Sequence, residues 1–283
     1  MVSMVSKKWS ARDSAQCIIK PSDLDHKYSR GVLGVITGSA KYPGAAVLTT
    51  AAASATGVGM IRFHSSSGLA HLVLHSTPSV VVQPGKVTAW LVGSGIDARK
   101  NSDFTTWLRH RWYKLLKLQT VPTVLDAGAL YLAGKLAQPT LITPHSGELA
   151  KLLTARGVLV TPEAIEGDPK KWVQTAAQSL GVTVLLKGAV TYVANDLTIF
   201  ELPVATPWLA TAGTGDVLAG IIGALVATNS VEILNNRHYL AELAATGAYI
   251  HATAAKKAAQ GGPINAEKII TTIPDVIAQL LKH

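Results

Sequence analysis

Short apolar runs, several of them β-branched, recur along the chain, and each empties into a glycine or polar turn. Val32 to Ile36 ends at Thr37-Gly38-Ser39, Ala89 to Val92 at Gly93-Ser94-Gly95, and Thr123 to Leu125 at Asp126-Ala127-Gly128. Leu141-Ile142 leads to Thr143-Pro144-His145-Ser146-Gly147-Glu148, and Val182 to Leu186 leads to Lys187-Gly188. Runs of this length bounded by turn residues predict buried strands. Met60 to Phe63 predicts another, after which a polar turn precedes a β-type run at Val80 to Val82. Tyr42-Pro43-Gly44 opens an alanine-rich helix reaching toward Gly57, with proline near its start and glycine past its end. Phe104 to Leu118 predicts an amphipathic helix whose Phe104, Trp107, Leu108 and Leu115 serve as core and rim. Val190 to Val193 and Leu197 to Phe200 predict a hairpin turning at Asn195-Asp196. Two late helices are expected over about Arg237 to Ala259 and Asn265 to Leu281.

Strands alternating with helices predict an α/β fold with a parallel sheet, and such sheets bind ligands outside the carboxyl ends of their strands. The polar residues named above all lie just past a strand end, so the chain aims them at one edge.

The stretch Ala210-Thr211-Ala212-Gly213-Thr214-Gly215-Asp216 then turns abruptly apolar from Val217 to Ala227. A glycine-rich entry leaves the first amides of a helix uncovered, and these attract phosphate or a developing oxyanion. Ala212, Gly213, Thr214 and Gly215 are therefore a candidate anion hole. Asp216 repels a phosphate unless a metal or a proton in transit compensates, which points to proton handling. An ordinary cap before a core helix satisfies the same residues.

Composition narrows the setting. Of 283 residues 48% are hydrophobic and 15% charged, which supplies a sizeable core and argues against disorder. No linker or repeat divides the chain, so 1–283 is expected as a single domain with residues 1–10 as a flexible N-terminus. The single cysteine, Cys17, suits a buried apolar role and a reducing cytoplasm, and no secretory signal or membrane-length apolar run is read. A net charge of +9 favours polyanionic ligands of any class. Lys7-Lys8, Lys170-Lys171 and Lys256-Lys257 are scattered pairs of the kind found on solvated helix faces. The basic-aromatic run Arg109 to Lys114 falls within an amphipathic helix, so no nucleic acid partner is expected, nor a membrane.

Among the candidate chemical groups, Asp126 could hold Mg²⁺ directly or through water, or cap a turn. His145 and Glu148 share a helix mouth, where Glu148 could approach a metal or merely occupy the third helical position. Lys187-Gly188-Ala189-Val190-Thr191 offers a cation and a hydroxyl around a turn, suited to phosphate or to an ordinary hairpin. Walker A, CxxC, HExxH and GxSxG patterns are not found.

Gly38-Ser39, Tyr42-Pro43-Gly44-Ala45-Ala46, Val92-Gly93-Ser94-Gly95, Leu125-Asp126-Ala127-Gly128-Ala129-Leu130, Thr143-Pro144-His145-Ser146-Gly147-Glu148, Lys187-Gly188 and Ala212-Gly213-Thr214-Gly215-Asp216 together resemble the ADP-dependent NAD(P)H-hydrate dehydratases. The ordered match spans about Gly31 to Gly220. The resemblance implies a ribokinase-like fold, a central mostly parallel sheet with helices on both faces. It further implies dehydration of (S)-NADHX or NADPHX to NADH or NADPH, coupled to conversion of ADP, or ATP in its place, with Mg²⁺. By this resemblance Ala45, Gly95, His145 and Asp216 contact the hydrate, Asp216 is catalytic, and Lys187, Gly188, Ala189, Val190, Thr191 and Gly215 contact the nucleotide. Asp126 and Glu148 would hold the metal, and a cytoplasmic homo-oligomer, a tetramer by resemblance, is expected. Two segments depart from the pattern. Pro203-Val204-Ala205-Thr206-Pro207-Trp208 lacks the usual Asn- and Gly-rich form, and Gly-Ser-Gly replaces a more usual Gly-Pro-Gly. The competing readings are a vitamin-precursor kinase of the same fold, which would leave phosphate on its product, and a non-catalytic binder of phosphate ligands or nucleic acid.

Overall fold

The computed structural model describes residues 5–98 and 104–282. Among these, nine strands form one sheet: β1 (Val5–Lys8), β2 (Val32–Ile36), β3 (Met60–Phe63), β4 (Ala89–Val92), β5 (Thr123–Leu125), β6 (Thr140–Ile142), β7 (Thr183–Leu186), β8 (Tyr192–Ala194) and β9 (Thr198–Glu201). Their order is β1-β9-β8-β7-β6-β5-β4-β2-β3. The strands from β3 through β7 pair in parallel, as does β1 with β9, whereas β8 pairs antiparallel with both neighbours. The hairpin turns at Asn195, whose Oδ1 accepts from the amides of Leu197 and Thr198, both at 2.8 Å.

The helices are α1 (Ala11–Gln16), α2 (Pro43–Ala55), α3 (Ser67–Ser76), α4 (Phe104–Trp112), α5 (Leu115–Leu118), α6 (Ser146–Thr154), α7 (Pro162–Gly167), α8 (Pro169–Leu180), α9 (Thr214–Thr228), α10 (Ser230–Asn235), α11 (Tyr239–Ala259) and α12 (Ala266–Leu280). Side chains alternate across a strand, and the two sheet faces carry separate cores. Leu33, Val35, Leu91 and Leu185 pack with α2, α9, α11 and α12. Val32, Ile36, Val92, Val184 and Leu186 pack with α5, α6 and α8. Helix α9 is apolar around its whole circumference because the sheet, α2 and α11 enclose it. Gly220 allows α2 its close approach, since a Cβ there would lie 2.4 Å from Thr49 O.

Four local expectations are corrected. Residues 5–10 are ordered rather than a flexible terminus: β1 completes the sheet edge beside β9, and Ser10 caps α1. Lys7 thus lies on a strand, where it pairs with Asp13 at 2.6 Å; residues 1–4 fall outside the described residues. Val80 to Val82 forms no strand, because Val81 makes a single bridge with Arg62 before Pro84 and Gly85 interrupt the run. Where only a polar turn was expected, α3 forms, burying Leu69 and Val73 four residues apart.

The fourth correction concerns 104–118, which breaks at Tyr113 and Lys114 into α4 and α5. Its buried face is Thr106, Arg109, Tyr113 and Leu116, whereas Phe104 and Trp107 are exposed. Apolar periodicity assumes that a charged side chain seeks water, but Arg109 is 2% exposed. Its guanidinium donates to the carbonyls of Thr37 (3.0 Å), Gly38 (2.9 Å) and His64 (2.6 Å) and to Ser65 Oγ (2.9 Å). Burial pushes its pKa down to about 10, which still leaves it cationic at neutral pH. Arg109 therefore ties the ends of β2 and β3 together. Arg109→Met strands these acceptors and is expected to cost about 2 kcal/mol or more in denaturant unfolding. An unchanged midpoint would mean that relief of the buried charge cancels the lost bonds.

Candidate active site

Because β2, β4, β5, β6 and β7 run in parallel, the loops following them open on one edge of the sheet. Pairing continues beyond the strands. Gly38 N donates to Ser94 O at 2.8 Å, and Lys187 N donates to Pro144 O at 2.9 Å, which bridges Lys187 to His145.

Small residues converge in one half of this edge. The Ser39 hydroxyl donates to Gly95 O at 2.8 Å, and Gly95 has a φ of +65°. A Cβ at Gly95 would lie 2.3 Å from Ala45 Cβ and 3.2 Å from Gly38 Cα. A side chain would strain the backbone and also fill the space between these loops. Ala45 and Gly95, both expected on the hydrate, therefore lie against each other.

Beside them Asp126 is nearly fully buried. Its Oδ2 accepts from the Ser94 hydroxyl at 2.8 Å, and its Oδ1 accepts from the Thr143 hydroxyl at 2.8 Å. Lys187 Nζ lies 3.3 Å from Asp126 Oδ1 and 3.8 Å from Glu148 Oε2. Serine at position 94 makes a bond that proline cannot, so the departure in the Gly-Ser-Gly loop has a structural use. His145 caps α6: its Nδ1 accepts from Gly147 N at 3.1 Å, while its own N–H donates to Glu148 Oε2 at 3.0 Å. Glu148 thus occupies the third helical position, as the helix-start reading expects, and also stands near Lys187.

On the far side, Lys187 Nζ reaches the start of α9, 3.9 Å from where a Gly215 Cβ would sit. Thr214 turns its hydroxyl inward to the carbonyls of Leu209 and Thr211, both at 2.9 Å. Backbone rather than this hydroxyl is thus what the helix start presents. Burial and the Asp126 carboxylate push the Asp216 pKa up to about 7, against the pull of Lys187. Burial draws the Lys187 pKa down, but Asp126 and Glu148 outweigh it and hold the pKa above the ordinary lysine value. The site therefore contains a fixed cation and a carboxyl poised to exchange a proton near neutrality.

A cavity of about 530 Å³ lies beside this cluster. His145, Lys187, Gly188, Ala189, Thr191, Thr214 and Gly215 border it, whereas Val190, Ala212, Gly213 and Asp216 do not. Ala212 is exposed, and a Cβ on Gly213 would meet Leu48 and Ala266. Val204, Ala205, Thr206 and Pro207 also border the cavity, so the segment that departs from the family pattern forms part of its wall with small and apolar groups. Among the described residues no group of three or more His, Cys, Asp or Glu side chains is arranged to hold a metal ion. Both Asp126 oxygens are already engaged, and Lys187 approaches both carboxylates. These carboxylates could give a metal ion few direct ligands, so Mg²⁺ held here would draw most of its ligands from phosphate and water.

Sequence reasoning missed Thr143, Ser94 as a partner of Asp126, and His251, which borders the cavity from α11. The signal for His251 is a polar residue beside Ile250 and four positions from Gly247 on a buried helix stripe. For Ser94 and Thr143 the partner is remote in sequence, at separations of 32 and 17, and no local pattern names it.

The NAD(P)H-hydrate dehydratase family model matches residues 33–275. The bifunctional NAD(P)H-hydrate repair enzyme Nnr of Mycobacterium tuberculosis is 40% identical over 74% of this chain and 43% of its own length. The chain thus spans about half the length of the first curated relatives it matches. The ADP-dependent (S)-NAD(P)H-hydrate dehydratase of Neisseria meningitidis serogroup B is 32% identical over 81% of this chain and 78% of its own. The ADP/ATP-dependent NAD(P)H-hydrate dehydratase of Bacillus subtilis, co-crystallized with ATP/Mg²⁺, superposes with a TM-score of 0.81 at 20% identity, covering 99% of this chain and 100% of that one. Its likeness, and that of ribokinase structures, gives the expected ribokinase-like fold. With a family match that includes every loop gathered at this edge, the chain belongs to the NAD(P)H-hydrate dehydratase family.

Proposed function

We propose that this chain dehydrates the (S)-hydrates of NADH and NADPH, consuming ADP and releasing AMP and phosphate. One observation carries the reading: Lys187 joins Asp126, Glu148 and Gly215, between the loop cluster of Gly38, Ala45 and Gly95 and a cavity large enough for a nucleotide. The ring seats against Ala45 and Gly95, with His145 at the mouth. The adenine nucleotide lies along Lys187, Gly188, Ala189, Val190 and Thr191, with Gly215 beside its phosphates.

Asp216 takes the proton of the ring hydroxyl, and that oxygen attacks the terminal phosphorus of ADP as the bond to AMP breaks. Lys187 and the Gly215 amide at the start of α9 stabilise the charge that develops. Mg²⁺, held by Asp126 and Glu148 directly or through water, would neutralise phosphate oxygens when bound. Phosphate leaves the carbon far more readily than hydroxide. The ring nitrogen's lone pair expels it, and loss of a proton from the neighbouring carbon restores the dihydronicotinamide. The proposal includes ATP as an alternative co-substrate, a homotetramer and a cytoplasmic setting. No described helix is long and apolar enough to cross a membrane.

Incubation with NADH hydrate, ADP and Mg²⁺ is expected to return dihydronicotinamide absorbance with free phosphate in equal amount. Phosphate retained on the organic product would instead identify a kinase.

A further inference from the structure

Helix α11 is a core helix, and most of its inward positions are alanine, leucine, isoleucine or glycine. His251 interrupts that pattern. It is 7% exposed and borders the cavity together with Thr214, Gly215, Leu218, Ala248 and Ala252. Its Nε2 is buried and has no hydrogen-bond partner. A buried polar atom without a partner costs about 1–3 kcal/mol, so an imidazole here is explained if a ligand completes it. Among the described residues, the other buried side-chain atoms without partners belong to Arg62, His64, Tyr113 and Thr246, and none of these residues borders the cavity.

The protonation state fixes what kind of partner Nε2 can take. The Thr214 backbone favours the protonated ring, but burial outweighs it. Burial, reinforced by Lys187, pushes the His251 pKa down to about 4. At neutral pH the ring is therefore neutral, and with its one proton on Nδ1 it offers a ligand the Nε2 lone pair once the ring turns that edge toward the cavity. A lone pair repels phosphate oxygens and requires a donor. The donors on an adenine nucleotide are its ribose hydroxyls and the amino group of the base.

We propose that His251 Nε2 accepts a hydrogen bond from the nucleoside half of the bound nucleotide, from a ribose hydroxyl or the adenine amino group, and thereby selects for it. The inference rests on the nucleotide reading of the cavity. It makes His251 a specificity residue that leaves phosphate binding to Lys187 and the start of α9.

Calorimetric titration of the full chain with ADP, 2′-deoxy-ADP, 3′-deoxy-ADP and IDP tests it. The unaltered protein is expected to bind one analogue about tenfold more weakly than ADP, the worth of one hydrogen bond, and that analogue identifies the donor. His251→Phe is expected to lose the same factor for ADP while binding the identified analogue unchanged. His251→Gln, which keeps an acceptor, is expected to retain part of the preference. Equal affinity of the unaltered protein for all four ligands overturns the inference without recourse to any variant, as does a uniform weakening of all four by His251→Phe. If ADP itself does not bind, the nucleotide reading falls and takes the inference with it. If ADP binds but the analogues bind equally, only the role of His251 is lost.

Discussion

Asp216→Asn is expected to lower the rate of hydrate dehydration by roughly 10³-fold or more while ADP affinity stays within a fewfold. Asparagine keeps the shape but cannot take the hydroxyl proton, and Lys187 and the backbone of Gly215 stay in place. Steady-state kinetics beside a binding titration separates the two effects; near-normal turnover would remove Asp216 from the mechanism. The ionised carboxylate is the active form, so kcat/KM of the unaltered protein should rise with pH through about 7 in the free enzyme.

The same substitution has a signed consequence for stability. The Asp216 pKa is raised from 3.8 in the unfolded reference to about 7 in the fold. Below the lower value both states are protonated and the residue has no electrostatic cost. As pH climbs from there to about 7, the unfolded chain releases its proton first and the folded state loses stability. Asp216→Asn removes that penalty and should be more stable than the parent above about pH 7, by up to about 4 kcal/mol, with the gain vanishing toward pH 4. Thermal melts across pH test this directly. A parent that gains stability from pH 4 to 7 relative to the variant would show that Asp216 is held as a stabilised carboxylate instead.

Lys187→Met is the second large effect. It leaves Asp126 and Glu148 facing each other without their cation and strips the cavity of the charge nearest Gly215. Truncating one partner of a buried charge pair costs about 2–5 kcal/mol, so kcat/KM should fall by roughly 10²-fold or more, mainly through weaker nucleotide binding. Lys187 also lowers the Asp216 pKa. Its removal should therefore move the remaining activity toward higher pH. A loss in affinity with an unmoved pH profile would place Lys187 on the nucleotide but outside the electrostatics of Asp216.

Helix α11 and strand β1 show the two ways in which side chains escape a local reading. His251 could have been noticed as a polar residue on an apolar stripe, but its unpartnered Nε2 is visible only once α9 lies alongside. Lys7 and Lys8 read as solvated charge on a helix face; they are solvated, but the element that carries them is a strand made by hydrogen bonding to β9, about two hundred residues later in the chain. Arg109 is a third case, because the carbonyls that stabilise its buried charge come from Thr37, Gly38 and His64.

The sequence by itself determined the strands that empty into the turns at Gly38, Gly95, Asp126, His145 and Lys187, the apolar helix that follows the Ala212 to Asp216 loop, and hence the residue types delivered to one edge. These follow from turn chemistry and apolar runs, which act over a few residues. Only the tertiary structure decided that Lys187 stands between Asp126 and Glu148, that Ser94 and Thr143 fix the Asp126 carboxylate, and that the Asp216 pKa lies near neutrality. Those properties depend on distances and on exclusion of water between segments far apart in the chain, and no local pattern encodes either.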